Sequence, residues 1–179
     1  MSSEDAALEA EPVEGVDRPE PEAEAEPEPA LPEESSSPQP FREVRFVDVA
    51  MVLPSPNPVL VLDELDPPRR RLSIPIGMAE GVAIAHAARR TPTPRALTHE
   101  LFVEVLEAFG VELETVRITS VAGASYAAEL LCSSPSGRRN FVCRPSDAVA
   151  LALRQRLPVP ITVAEEVLDL VGFDASSGA

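Results

Sequence analysis

The folded part of the chain begins near Phe41 with short apolar segments that are separated by proline-rich turns. These segments are rich in β-branched residues and partly alternate with polar ones, a pattern typical of β-strands. Apolar residues at helical spacing follow, and the prolines of T-P-T-P at 91–94 end that helix. The pattern predicts three strands and a helix, at residues 44–53, 59–65, 71–76 and 78–90.

A second helix is predicted at residues 99–109, with Thr98 as its N-cap and Gly110 in a left-handed conformation at its end. One side of this helix carries apolar residues at helical spacing. They are Leu101, Phe102, Val105, Leu106 and Phe109. This side is the predicted packing seam of the helix, and Glu104 and Glu107 lie away from it.

The same pattern then starts again. Three further strands and a helix are predicted at 113–121, 125–132, 138–143 and 145–156. The phrase I-G-M-A-E-G-V-A-I-A, which opens the first helix, matches C-R-P-S-D-A-V-A-L-A farther along the chain, and V-R-F-V-D-V-A at 44–50 echoes V-R-I-T-S-V-A at 116–122. This repetition predicts an α+β fold in which two strand–strand–strand–helix units surround a shared core, with additional helices.

The last predicted elements are a short strand at 158–161 and a helix that ends at Gly172. Thr162 and Glu165 have the spacing of a capping box at the start of that helix. The residues it is expected to bury are Val163, Val167, Leu168 and Val171.

Residues 1–40 differ from the rest of the chain in composition. They contain thirteen acidic residues, one arginine, eight prolines and no aromatic residue, for a net charge of −12, whereas the remainder carries −3. Such a segment buries too little apolar surface to offset the entropy of ordering, so we interpret it as a disordered acidic tail. It either keeps the protein soluble or mimics the charge of nucleic acid. The predicted domain spans 41–173, and 174–179 is a predicted flexible C-terminus.

Two cysteines, Cys132 and Cys143, are too few for a disulfide framework and flank their turn asymmetrically. We expect reduced thiols and a cytoplasmic location, because the N-terminal residues also show no signal-peptide pattern. No apolar run approaches the ~18 residues of a membrane span, so no membrane partner is expected.

Three acids, Glu80, Glu100 and Asp147, fall in the first turn of a predicted helix. With Pro145 as the first helical residue, Asp147 takes the third position, and the repeat places Glu80 at the same position. An acid there interacts favourably with the helix dipole and bonds the N–H of the cap. A purely structural role therefore explains each acid taken alone.

The same positions also suit phosphodiester chemistry. Helix N-termini attract phosphate, and carboxylates bind Mg²⁺ or Mn²⁺. Arg144 lies three residues before Asp147, and His99 adjoins Glu100. If they converge, the acids would hold a metal that activates water, Arg144 would bind phosphate and His99 would move a proton. Spacing alone leaves their convergence open.

Seven ordered segments of the folded part carry a family pattern. They are L-S-I-P-I-G-M-A-E-G-V-A-I-A (72–85), R-A-L-T-H-E-L (95–101), L-E-A-F-G (106–110), V-R-I-T (116–119), Y-A-A-E-L (126–130), R-P-S-D-A-V-A-L-A-L-R (144–154) and V-A-E-E-V-L-D (163–169). Together they resemble the bifunctional nuclease family, a DNase/RNase domain family of bacteria and plants. The resemblance covers about residues 43–173.

This resemblance implies an α+β fold that often self-associates and a nuclease that cleaves DNA and RNA with Mg²⁺ or Mn²⁺ as its cofactor. It implies catalytic roles for His99, Glu100 and Asp147, and substrate binding by Arg95 and Arg144. The implied metal ligands are Glu80, Glu100 and Asp147. In the family phrases this chain has Gly81, Ala96, Glu100 and Cys143 where Ala, Pro, Asp and Ala are usual. Glu100 keeps the charge of Asp but is longer by one methylene, which would shift a metal bound there.

A second hypothesis is a non-catalytic binding or regulatory module of the same fold. The folded part is slightly negative and the chain has no lysine, which argues against nucleic-acid binding driven by charge alone. In this hypothesis the first-turn acids only stabilise their helices. Under either hypothesis, the exposed strand edges of two repeated units favour a homodimer.

Overall fold

The computed structural model describes residues 40–90 and 93–175 of the 179-residue chain. Its strands are β1 (Phe41–Met51), β2 (Pro58–Glu64), β3 (Arg70–Pro75), β4 (Glu112–Ala122), β5 (Ser125–Ser134), β6 (Gly137–Cys143), β7 (Ile161–Ala164) and β8 (Phe173–Asp174). Its helices are α1 (Met78–Arg89), α2 (Thr98–Ala108), α3 (Pro145–Arg154) and α4 (Glu165–Val171). The predicted disordered tail, apart from Pro40, and the last four residues of the predicted flexible C-terminus lie outside the described residues.

The described strands form one mixed sheet in the order β6–β5–β4–β7–β1–β2–β3–β8. Two antiparallel meanders, β1–β2–β3 and β4–β5–β6, are therefore joined by β7, which is antiparallel to β1 and parallel to β4. The predicted α+β fold with two strand–strand–strand–helix units is confirmed. The joining strand belongs to neither unit and corresponds to the short strand predicted at 158–161.

The two units match in detail along their first strands. Val44 of β1 and Val116 of β4 pair with the same residue of β7, Ile161, from its two sides. Three residues later each strand has a register shift, at Val47 and at Thr119. An extra residue in one strand of a pair bends it and increases its twist. Both meanders therefore bend at the same place in the repeat.

The core lies between the sheet and the pair α1 and α3, which pack against each other. Ile84 of α1 and Val149 of α3 are fully buried there, as are Leu60 of β2 and Ile118 of β4. Burying a side chain of this size contributes about 1.5–3 kcal/mol. Because each unit supplies both strand and helix residues, the core is shared, as the repeat predicts.

The prediction for the last helix is wrong at its start. Thr162 lies in β7, and its hydroxyl donates to the carbonyl of Val116 at 3.2 Å instead of capping a helix. The helix begins at Glu165, after Ala164, and the strand runs from 161 to 164 instead of 158 to 161. The Thr-x-x-Glu spacing was misleading because the Thr162 hydroxyl bonds to the neighbouring strand of the sheet and not to the start of a helix.

The prediction for α2, at 99–109, is displaced by one residue at each end and is wrong in two details. Thr98 is the first helical residue and Leu97 precedes it as the cap. The apolar side that looked like a packing seam is largely exposed, since Phe102 is 48 % exposed and Phe109 is 75 % exposed. Gly110 follows with the predicted left-handed backbone, at φ +65°.

Within residues 40–90 and 93–175, no helix combines the length and apolar character needed to cross a membrane. The register of β5 and β6 places Cys132 opposite Arg139 and Cys143 opposite Ala128. The two cysteines are accordingly unbonded, as their asymmetric spacing predicts.

Candidate active site

The N-termini of α1 and α3 form equivalent corners of the two units. Glu80 and Asp147 occupy the third position of their helices, as predicted. Pro145 is the first residue of α3. The backbone N–H of that position has no partner within a helix, so proline, which lacks the N–H, loses no hydrogen bond there. Gly77 and Arg144 are the residues before the helices, and neither caps its helix through a side chain. Because α1 packs on α3, the two first-turn acids meet.

Arg144 binds both of these acids. Its Nε and Nη2 donate to the two carboxylate oxygens of Asp147, at 2.8 and 3.0 Å. Its Nη1 donates to Oε1 of Glu80 at 2.6 Å. A planar guanidinium with several donors suits such a double contact. One cation therefore bridges an acid from each unit.

His99 of α2 reaches the same place, because α2 packs against α3. Its Nε2 lies 3.4 Å from Oδ1 of Asp147. The side chains of His99 and Asp147 are 21 % and 29 % exposed, so solvent reaches both. We call Glu80, His99, Arg144 and Asp147 the corner cluster.

The charges of the corner cluster reinforce one another. Burial raises the pKa of Asp147, but hydrogen bonds from Arg144 and the contact with His99 outweigh it and hold that pKa below its ordinary value. Hydrogen bonds to Asp147 and Glu80 raise the pKa of Arg144. Next to it, burial raises the pKa of Cys143 to about 11, so its thiol is protonated at neutral pH and is a poor nucleophile.

Glu100 does not join the corner cluster. Its Oε2 accepts hydrogen bonds from the hydroxyl of Thr93 at 2.6 Å and from the N–H of Leu97 at 2.9 Å. Its Oε1 accepts from Nη1 of Arg154, whose side chain is 8 % exposed. These bonds, chiefly that of Thr93, lower the pKa of Glu100 to about 2. Glu100 therefore fixes the start of α2 and ties α2 to α3.

Arg95 lies in the segment before α2, and its side chain is exposed. Its carbonyl accepts a hydrogen bond from the hydroxyl of Thr93 at 2.7 Å. Among the described residues, its side chain makes no bond to the corner cluster. The structure thus brings together four of the six residues proposed from sequence and leaves Arg95 and Glu100 outside.

The sequence analysis did not identify two residues that position the acids of this region, Arg154 and Gly77. A Cβ at position 77 would lie 2.2 Å from Oε2 of Glu80, so the glycine leaves room for that carboxylate to fold back over the start of α1. The repeat contained this signal, because it aligns Gly77 with Arg144. Arg154 offered no local signal, since its partner Glu100 lies 54 residues away in sequence.

The corner cluster can be tested for its fit to Mg²⁺ or Mn²⁺, which bind several oxygen ligands. In the part of the chain that the structure describes, no three His, Cys, Asp or Glu side chains are arranged to hold a metal. The guanidinium of Arg144 also lies between the two carboxylates. As arranged here, the acid pair fits a guanidinium and does not fit a divalent ion.

Comparison with protein families supplies a match over most of the folded part. The model of the bifunctional nuclease domain matches residues 60–176. The chain belongs to this family. The bifunctional nuclease domain therefore includes α1, α2 and α3, which carry the corner cluster.

Relatives of this bifunctional nuclease domain protein occur in bacteria and plants. A protein of Mycobacterium tuberculosis strain H37Rv that is named uncharacterized is 39 % identical over 133 residues, which are 73 % of this chain and 76 % of that protein. Bifunctional nuclease 2 of Oryza sativa subsp. japonica is 27 % identical over 110 residues. Bifunctional nuclease 1 of Arabidopsis thaliana is 26 % identical over the same length. Each plant match covers 60 % of this chain and 34 % of the plant protein.

Proposed function

We propose that this chain is a nuclease that hydrolyses phosphodiester bonds of DNA and RNA at the corner cluster. The observation that carries the proposal is the meeting of Arg144, His99 and two carboxylates at adjoining helix N-termini, within a bifunctional nuclease domain. The names of the two plant relatives support the same activity.

Arg144 is the proposed phosphate-binding residue. Its side chain is 62 % exposed, so a phosphate can approach the guanidinium from solvent. A guanidinium recognises phosphate oxygens with the same parallel N–H donors that it uses for carboxylates. The positive ends of α1 and α3 favour an anion at this corner. Arg144 would therefore hold the scissile phosphate and stabilise the charge that develops on it.

His99 is the proposed proton-transfer residue. Water attacks the phosphorus while the bond to the leaving oxygen breaks, so one proton must leave the water and one must reach the leaving group. An imidazole suits this exchange near neutral pH. Asp147, 3.4 Å from Nε2, orients the ring. Glu80 acts as a positioning residue, because it holds the far side of the Arg144 guanidinium.

The remaining residues have supporting roles in this proposal. Arg95, exposed before α2, would contact a neighbouring phosphate of the strand. Glu100, held by Thr93, Leu97 and Arg154, would place α2 so that His99 faces Asp147. We therefore assign Glu100 a positioning role instead of a ligand role.

Mg²⁺ or Mn²⁺ as a cofactor, a cytoplasmic location and a homodimer also remain proposals. The resemblance implies the metal, which prefers oxygen ligands. The acid pair as arranged here holds Arg144 instead, so the proposal of a metal rests on the resemblance alone. The free cysteines support a reducing compartment. The exposed apolar side of α2, including Phe102 and Phe109, supports self-association.

Cleavage of labelled single-stranded DNA and RNA by the purified full-length chain tests the activity. It would be measured in Mg²⁺, in Mn²⁺ and in EDTA, for wild type, His99→Ala and Asp147→Ala. Because proton transfer contributes roughly 10²- to 10⁴-fold to such reactions, we expect His99→Ala to lose at least about a hundredfold in rate. Asp147→Ala should lose activity as well, since it releases both Arg144 and His99.

The matched control is Asp169→Ala, which removes a carboxylate of α4 whose side chain is 67 % exposed and which pairs with Arg70, outside the corner cluster. It should cleave like wild type. Circular dichroism must show that each variant is folded. Equal traces of cleavage in all four proteins would mean contamination, and the chain would then be a non-catalytic binding module of the same fold.

A further inference from the structure

Strand β1 is longer than its partner on one side. On that side only Phe41–Val44 pair with β7, whereas β2 pairs with β1 from Val44 to Met51 on the other side. In residues 40–90 and 93–175, no strand pairs with Arg45–Met51 on the β7 side. We call this stretch the free edge. Unpaired N–H and C=O groups along a strand edge are a template for a further extended segment.

A groove follows the free edge. Its first part, of about 390 Å³, lies between the free edge and one side of α1. Its second part, of about 440 Å³, lies between β1 and residues 157–160 and shares Phe46 with the first. Because β7 fills the place beside β1 for only four residues, the groove continues that place and has room for one strand.

The first part of the groove is lined by exposed apolar side chains. Four of them, from both walls, are 40–53 % exposed: Val47, Met51, Met78 and Val82. Between the walls Gly81 lets α1 lie close to the strands, because a Cβ there would be 2.9 Å from Cγ of Pro58. Successive side chains of a strand point to opposite faces, so every second residue of an added strand would lie against this apolar lining.

Arginines line the groove where its two parts meet. Arg89 lines the first part, Arg90 lines the second, and Arg45 starts the free edge. Within the described part of the chain, Arg90 donates to a neutral group, the carbonyl of Gln155 at 3.2 Å, and neither it nor Arg89 pairs with a carboxylate. Arg45 makes a long contact of 3.6 Å with Asp63. Three guanidinium groups at this point favour acidic side chains in a ligand.

Asp48 occupies one donor of the free edge. Its Oδ1 accepts the N–H of Val49 at 2.8 Å, so an added strand must replace that carboxylate with one of its own carbonyl groups. A charge on a strand edge is a common protection against unselective pairing. Glu43, the other acid that lines the groove, lies at its end beside β7. Asp48 is therefore expected to weaken binding and to restrict it to segments that make enough other contacts.

We propose that the groove binds an extended segment of another protein, which adds a strand to the free edge. Its alternate side chains would be apolar, and acidic residues would lie beside Arg45, Arg89 and Arg90. Backbone hydrogen bonds would hold the segment, and the lining of the groove would select its sequence. A second copy of this chain fits less well, because its sheet would have to enter between α1 and residues 157–160. Glu80 does not line the groove, so binding there does not depend on the proposed cleavage.

Fluorescence anisotropy of labelled peptides with the purified full-length chain tests the site. The probe has about eight residues, alternates valine and threonine, and carries two glutamates at one end. Two versions place the glutamates at the N-terminus and at the C-terminus, because a strand edge accepts both directions. We expect one version to bind at least about fivefold more tightly than the same peptide with lysines instead of glutamates. No binding of either version, or equal binding of the lysine peptide, would overturn the proposal.

Val82→Asp tests the apolar wall. It places a charge against the bound segment and should weaken binding of the preferred peptide roughly tenfold or more. Val142→Asp is the matched control, because Val142 of β6 is 75 % exposed and lies outside the groove. It should bind like wild type. Equal losses in the two variants would count against the groove.

Asp48→Ala tests the free edge by a gain of binding. It releases the N–H of Val49 and removes an acid from the groove, so it should bind the peptide about three- to tenfold more tightly. Misfolding cannot produce such a gain. Glu104→Ala, which removes an exposed acid of α2, controls for the change in charge and should bind like wild type. The absence of a gain in Asp48→Ala, or the same gain in Glu104→Ala, would contradict strand addition.

The same variants reveal other occupants of the groove. We expect wild type and Val82→Asp to sediment alike and to bind a labelled single-stranded oligonucleotide alike. A wild-type dimer that Val82→Asp dissociates would mean that a second copy fills the groove. Oligonucleotide binding that Val82→Asp weakens and Val142→Asp leaves unchanged would mean that nucleic acid fills it. Either result would overturn the proposal of a protein segment.

Discussion

Two clusters of arginines and carboxylates in this molecule use the same chemistry in different surroundings. One is the corner cluster. The other, which we call the strand-end cluster, consists of Arg42 of β1, Glu64 of β2, Arg70 of β3 and Asp169 of α4. Glu64 accepts from Nε of Arg42 at 2.7 Å and from Nε and Nη2 of Arg70 at 2.9 and 2.8 Å. The backbone N–H of Arg70 adds a fourth bond at 3.0 Å.

The difference between the clusters is burial. The side chain of Glu64 is fully buried and that of Arg70 is 12 % exposed, whereas Arg144 is 62 % exposed. Hydrogen bonds from Arg70, followed by those of Arg42, lower the pKa of Glu64 to about 2 despite its burial. Breaking a buried ion pair costs several kcal/mol because an unpaired charge stays buried. An exposed pair contributes little, so its members can exchange partners. The strand-end cluster is suited to hold strands together, and the corner cluster to change partners.

The comparison of the two clusters predicts that the largest difference in stability lies between Arg70→Gln and Arg144→Gln. Arg70→Gln leaves the buried Glu64 carboxylate without two of its four hydrogen bonds, those from Nε and Nη2, so we expect a loss of about 3 kcal/mol in the free energy of unfolding. Arg144→Gln breaks exposed pairs and should lose less than about 1 kcal/mol. Urea denaturation at pH 7 measures both. Equal losses would show that burial does not separate the two clusters.

A smaller effect on the free energy of unfolding is expected when the pH is lowered. The pKa of Glu64 is about 2 in the folded chain and 4.5 ordinarily, so its ionised form stabilises the fold above pH 4.5. This contribution is lost as the pH falls from 4.5 toward 2, because the unfolded chain then binds the proton first. The stability gap between wild type and Glu64→Gln should therefore shrink across this range. Urea denaturation at several pH values measures the gap, and Glu100, with a pKa of about 2, affects both proteins equally. A constant gap would contradict the assignment.

The smallest effect on stability is expected for Gly77→Ala. The added Cβ meets only the flexible end of Glu80, and the backbone at position 77 has φ −73°, which alanine adopts without strain. We expect a change within about 0.5 kcal/mol in unfolding free energy. Cleavage should nevertheless fall, as it should in Glu80→Gln, because both changes weaken the ion pair between Glu80 and Arg144.

The double variant of Gly77→Ala and Glu80→Gln sharpens this test. If the methyl acts only through Glu80, the second change should add little to the first. Additive losses of cleavage would mean that Gly77 matters for another reason, such as the close approach of substrate.

Much of the fold could be predicted because the sequence repeats the same pattern of strands and helix. The matched phrases placed Glu80 and Asp147 at the third position of equivalent helices, and Pro145 marked the start of one of them. Local rules of helix starts were sufficient there, since the cause lies within a few residues of the effect.

The contacts between elements could not be predicted in the same way. The bond of Arg144 to Glu80 requires α1 beside α3, and Arg154 reaches Glu100 only across the contact of α2 and α3. Thr162 looked like a cap until its strand partner Val116 was known. Glu64 ends β2, and the four hydrogen bonds that it accepts come from Arg42 and Arg70 of two other strands. Apart from Arg70, which is six residues from Glu64, the deciding partners are distant in sequence.

The position of β7 has a consequence for synthesis. This strand, Ile161–Ala164, is made near the end of the domain, yet it lies between the two meanders. Until it leaves the ribosome, β1 and β4 each present an unpaired edge to solvent or to each other. Open edges of this kind are templates for aggregation. Between the synthesis of β4 and that of β7, the nascent chain therefore carries two unpaired strand edges, and a single late segment of four residues pairs with both of them.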